Sequence, residues 1–152
     1  KNSAWLKSLN YIETIPEHGL AFCHGSPINL EEFEYVFHDT HALQLAEIYD
    51  DLSEITFIGH SHLTKRYAML PGWAEEIPAE EFVFDTNKKY VVTVGSVGQP
   101  SDYDNRACCG VYDTDTRMFK YVRADYNIES AVDQINAQEI SLSFGRRLFF
   151  GI

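Results

Sequence analysis

The chain has 152 residues, 45% of them hydrophobic, including 10 Phe, 9 Tyr and 2 Trp, so one compact domain over residues 1–152 is the expectation. A net charge of −11 without a basic stripe excludes a nucleic-acid backbone as the natural partner; a phosphorylated substrate stays open, because a bound cation can outweigh the local field. No apolar run approaches the roughly 20 residues of a membrane helix, and the three cysteines, Cys23, Cys108 and Cys109, form neither a disulfide framework nor a CxxC pair, so a reducing, cytoplasmic setting is expected.

In chain order, residues 3–10 read as the end of a helix or a loop-helix piece. The run Leu20-Ala21-Phe22-Cys23 is short, apolar and closed by Gly and Pro, which predicts a buried strand, with Cys23 as a small core residue. Residues 28–38 read as a loop with a helical turn. Ala42, Leu45, Ala46, Tyr49 and Leu52 keep helical spacing, predicting a helix over 41–52 capped by Asp39 or Thr40. Residues 55–58, Ile-Thr-Phe-Ile, predict a second buried strand. Strand, helix and strand in succession make a βαβ unit, which requires parallel strands. Downstream, residues 66–70, 81–85 and 89–95 read as strands and 71–80 as a loop. Residues 106–113 and 117–123 read as a hairpin around Thr114-Asp115-Thr116. Ile128, Ala131, Val132 and Ile135 predict a helix capped by Asn127, and 141–150 a further helical segment.

The histidines carry the chemistry. In parallel sheets the loops at the carboxyl ends of strands build the site. His24 directly follows the first strand, and Gly59-His60 follows the second, so both imidazoles are expected at one sheet edge. His60 and His62 are two residues apart and, in extended backbone, project to the same side. Three converging imidazoles are suited to a divalent transition metal. Gly25 and Gly59 allow close backbone approach, and Pro27 stiffens the turn. His18, His38 and His41 lack such a setting and are assigned to surface or loop.

The segments His24-Gly25-Ser26-Pro27, Gly59-His60-Ser61-His62 and Gly95-Ser96-Val97-Gly98-Gln99-Pro100 occur in an order that resembles the calcineurin-like metallophosphoesterase superfamily, in particular its small bacterial members. The resemblance implies a hydrolase acting on a phosphomonoester or phosphodiester through a dinuclear, metal-activated hydroxide. It implies two divalent ions (Mn, Fe, Zn, Ni or Mg), with His24 and His60 on one and His62 on the other. Gly25, Ser26, Gly59 and Ser61 would then contact a phosphorylated small molecule or nucleotide. The implied fold is an α/β (α+β-leaning) α/β/β/α sandwich with mixed sheets.

The family's Asp-x-His, Gly-Asp-x-x-Asp and Gly-Asn-His-Asp motifs, which carry the bridging aspartate and the acid–base histidine, do not occur here. Asp39-Thr40-His41 matches the first by letter only, since it opens a helix. The chain is therefore expected to be the carboxyl-terminal portion of such an enzyme, inactive by itself, with no catalytic acid–base residue of its own. Loss of that histidine alone costs about 10²–10⁴ in rate. An unpaired parallel strand edge is expected to follow, inviting a homo-oligomer or pairing with the missing amino-terminal half. The alternatives are a non-catalytic binding or scaffold module with the same fold, and a serine hydrolase using Ser26 or Ser96, which lacks the G-x-S-x-G elbow.

Overall fold

A parallel pair lies at the centre of the chain. The computed structural model describes residues 2–78, 80–138 and 140–152. In it, β2 (Leu20–Cys23) and β3 (Ile55–Ile58) run parallel, joined by α2 (Asp39–Glu47), and β7 (Lys89–Thr93) runs parallel to β3. The remaining elements are α1 (Asn2–Leu6), β1 (Ile12–Ile15), β4 (Arg66–Leu70), β5 (Trp73–Glu76), β6 (Phe82–Val83), β8 (Ala107–Asp113), β9 (Met118–Ala124), α3 (Ile128–Asn136) and α4 (Ser143–Phe150). They form a mixed six-stranded sheet, β1-β2-β3-β7-β4-β5, and an antiparallel three-stranded sheet, β6-β9-β8. The α/β architecture with mixed sheets agrees with the expectation.

Side-chain alternation along the strands builds two cores. One face of the large sheet gives Ile58, Tyr67, Met69 and Val91 to a cluster closed by Ala42, Leu45 and Ala46 of α2. The other face gives Leu20, Ile55, Phe57, Tyr90 and Val92 to a cluster closed by Phe84 and by Phe119 of β9. The layers are thus helix, large sheet and small sheet. Helices α3 and α4 pack on each other where Gly145 leaves room, since a Cβ there would lie 3.1 Å from Val132. Asn127 caps α3 by accepting from the Ser130 N–H at 2.8 Å, as its position predicts.

Several expectations are corrected. Helix α2 begins at Asp39, and neither Asp39 nor Thr40 caps it; His41 Nδ1 accepts from the His38 N–H at 3.3 Å instead. The helix also stops early, turning 3₁₀ at Tyr49–Asp51. Asp50 and Asp51 oppose the negative end of the helix dipole, and Lys89 Nζ draws the carbonyls of Tyr49 and Leu52 to 2.7 and 2.6 Å. Strand β1 was not foreseen. Residues 73–76, read as loop, form β5, because Pro71 and Gly72 (φ 68°) make a tight turn back along β4. Of 81–85, only Phe82–Val83 is strand. The parallel strands are interior: antiparallel β1 and β5 flank them, so among the described residues the large sheet presents no parallel edge.

Candidate metal centre

Strands β2 and β3 are in register at Cys23 and Ile58, so His24 and Gly59-His60 leave the same sheet edge. The Gly59 N–H donates to the His24 carbonyl at 3.0 Å, tying the two exits together. His24 Nε2 and His60 Nδ1 then lie 3.0 Å apart, with ring centroids 4.8 Å apart. Two nitrogens each about 2.0–2.1 Å from one cation are separated by about 2.9 Å at a right angle and about 3.4 Å at the tetrahedral angle. The pair therefore fits adjacent positions on a single ion. Without an ion, the same distance serves a hydrogen bond in which one ring donates and the other accepts.

Aromatic rings hold this pair. Tyr35 stacks on His60 at 3.9 Å and 17°, and Phe33 meets His24 edge-on at 5.6 Å. The Phe33-Glu34-Tyr35-Val36-Phe37 run gave no chemical signal in the sequence. Its alternation of aromatic residues was the available clue, with the His-Gly-Ser-Pro turn bringing it back over the site. Gly25 permits that return: a Cβ at 25 would lie 2.8 Å from the Phe33 backbone. A Cβ at Gly59 would meet nothing nearer than 3.5 Å, so the demand for glycine is specific to position 25.

The backbone at His60 and His62 is left-handed, with φ of 60° and 57°. Non-glycine residues adopt this region at a cost, and such residues cluster at functional sites. The extended geometry expected for His60-x-His62 is therefore replaced by two successive turns. His62 faces a cleft of about 620 Å³ that it shares with His60, Tyr35, Lys65, Gln99 and Arg147. Among the described residues, no group of three or more His, Cys, Asp or Glu comes together as a metal site. Burial lowers the His60 pKa, and the neighbouring His24 and His62 lower it further. Burial also lowers that of His62, with Arg147 and His24 adding to the effect and the Gln99 backbone opposing it. Both shifts favour the neutral imidazole, the form that ligates a metal.

The other candidate residues serve the loops. Ser26 is buried, its Oγ accepting from the Ile28 N–H at 3.2 Å. Ser61 is buried and its Oγ has no partner among the described residues. Ser96 Oγ accepts from the N–H groups of Gly98 (3.3 Å) and Gln99 (2.9 Å), organising the loop after β7. Asp102 secures that loop, accepting from Thr64 Oγ1 at 2.6 Å and pairing with Arg123. His38, assigned to surface or loop, is exposed, immediately precedes α2 and lines the His60–His62 cleft.

No family profile matches the chain. An uncharacterized protein of Methanocaldococcus jannaschii is 29% identical over 99% of the chain and 60% of its own length. The crystal structure of a metallophosphoesterase from Sphaerobacter thermophilus superimposes with a TM-score of 0.83 at 23% identity, over 98% of this chain and 60% of that one. A hypothetical protein from Pyrococcus horikoshii superimposes with a TM-score of 0.68 at 17% identity, over 98% of this chain and 54% of that one. The chain thus spans between half and two-thirds of the length of the proteins it matches, and over nearly all of its own length it has a metallophosphoesterase-type fold.

Proposed function

We propose that this chain is the carboxyl-terminal portion of a metal-dependent phosphoesterase that hydrolyses a phosphomonoester or phosphodiester at a dinuclear centre. The observation that carries the reading is the 3.0 Å approach of His24 Nε2 to His60 Nδ1 at the carboxyl edge of parallel strands. These two nitrogens would hold one cation, and His62, on the neighbouring cleft, belongs to the second. A bound divalent cation would supply Lewis-acid polarisation of phosphoryl oxygens and a water of lowered pKa. The work of this chain is positional: the Gly59–His24 backbone bond fixes the spacing of the two imidazoles, and Tyr35 sets the plane of His60. No group of three or more His, Cys, Asp or Glu forms among the described residues; in this reading the carboxylate ligands come from the remainder of the polypeptide, and the chain assayed by itself is expected to be inactive.

The test is metal content and hydrolysis of p-nitrophenyl phosphate and bis-p-nitrophenyl phosphate, measured on the longest polypeptide that the gene encodes. Activity that depends on a divalent metal and falls at least about 10²-fold in a His24→Ala, His60→Ala double variant is expected. Full activity in that variant would sink the reading.

A further inference from the structure

The described residues that line the cleft beside His62 include two cations, Lys65 and Arg147, and no Asp or Glu, in a chain with 23 acidic residues and a net charge of −11. Lys65 is already neutralised, since its Nζ lies 2.6 Å from Glu76. Arg147 is not: no Asp or Glu side chain pairs with it among the described residues. Neutral acceptors hold its guanidinium in place. Nε donates to the Ile152 main-chain oxygen at 2.7 Å, and Nη1 donates to the Gln99 side-chain oxygen at 3.0 Å. The loop that carries Gln99 is itself tied to the histidines, because the Ser101 N–H donates to the His62 carbonyl at 3.2 Å. The guanidinium is thus oriented while Nη2 makes no hydrogen bond among the described residues.

A second, independent observation comes from Ser61, which sits between His60 and His62 and lines the same cleft. Ser61 is only 5% exposed, and its Oγ has no hydrogen-bond partner among the described residues. A buried hydroxyl without a partner is rare in a folded chain and calls for one. The left-handed backbone on both sides of it, with φ of 60° and 57°, fixes where it sits. Tyr35 and Phe37, stacked at 4.5 Å and 14°, and the exposed Phe144 complete the lining with aromatic surface.

We propose that this cleft is a second anion subsite, in which Arg147 Nη2 and Ser61 Oγ donate to a phosphate group other than the one held at the His24–His60 pair. The substrate class is an organic phosphate that carries two phosphate groups, with its carbon skeleton against the aromatic surface. A guanidinium free of acidic partners and a donor hydroxyl match the acceptor oxygens of a phosphate. The two positions adjoin, because His60 belongs to the pair and also lines the cleft. An ester with a single phosphate held at the pair makes neither contact. The proposal rests on the phosphoesterase reading for the first phosphate only; the second is argued from the cleft itself.

The test uses the longest polypeptide that the gene encodes, freed of metal with EDTA and titrated with pyrophosphate at about pH 8, where imidazoles are neutral. Calorimetry is expected to show saturable binding that weakens at least about 10-fold in Arg147→Gln and at least about 3-fold in Ser61→Ala. The ¹⁵N resonances of the Arg147 guanidinium in the parent protein are expected to shift along the same titration, which decides the matter if a variant fails to fold. Binding that either folded variant leaves unchanged overturns the proposal. So does an absence of binding, or a titration in which the Arg147 resonances stay still. Hydrolysis of p-nitrophenyl phosphate by the metal-loaded protein is assayed separately. Pyrophosphate binding at Arg147 without hydrolysis supports the subsite and sinks the phosphoesterase reading; hydrolysis without that binding does the reverse.

Discussion

At the scale of single residues, the site depends on where a side chain is forbidden. A Cβ at position 25 would press to 2.8 Å on the backbone of Phe33, which cannot move without releasing the loop that carries Tyr35. Gly25→Ala is expected to cost about 1–3 kcal/mol by urea denaturation, whereas Gly59→Ala is expected to stay within about 1 kcal/mol of the parent. Protonation adds a second residue-level prediction. His60 and His62 have pKa values below the ordinary 6.5, so the unfolded chain takes up protons first as the pH falls. Their contribution is intact above pH 6.5 and is lost as the pH drops through their lowered values. Thermal unfolding followed between pH 7.5 and 5 should show a falling midpoint, and a His60→Gln, His62→Gln variant should fall less over the same interval. The meeting of His24 and His60 at one sheet edge was legible in the sequence because each ends an apolar run. The approach of Tyr35 and Arg147 to these histidines was not, since a stacking ring and a distant helical cation reach them only through the fold.

At the scale of elements, legibility followed burial. Strands β3 and β7, buried along nearly their whole length, and the β8–β9 hairpin stood out as unbroken or alternating apolar runs. Strands β1 and β5 did not, because edge strands carry mostly exposed residues and their pairing is set by neighbours distant in sequence. The early end of α2 shows the same principle. Lys89 Nζ, from β7, donates to the carbonyls of Tyr49, Asp50 and Leu52 and lies 4.7 Å from the Tyr49 ring. Lys89→Met keeps the aliphatic stem and removes the donor, and is expected to lower stability by about 1.5–3 kcal/mol in chemical denaturation. A variant as stable as the parent would show that the 3₁₀ turn is set by the local sequence alone.

At the scale of the molecule, the two faces of the large sheet differ. The face under α2 is closed, with Ala42, Leu45, Ile58 and Met69 almost fully buried. The opposite face is closed over β3, β7, β4 and the Leu20 end of β2, leaving Phe22 exposed beside His24. The incompletely covered face and the His24–His60 pair thus lie at the same edge of the sheet. The central claim is that His24 Nε2 and His60 Nδ1 are adjacent ligands of one cation. It is tested most directly by titrating the protein with Zn²⁺ while observing the imidazole nitrogens by ¹⁵N NMR. Coordination shifts at His24 Nε2 and His60 Nδ1, rising together to one equivalent and absent in His60→Ala, are predicted. Saturation that leaves these two nitrogens unchanged, or places the ion on His38 and His41, would contradict the account.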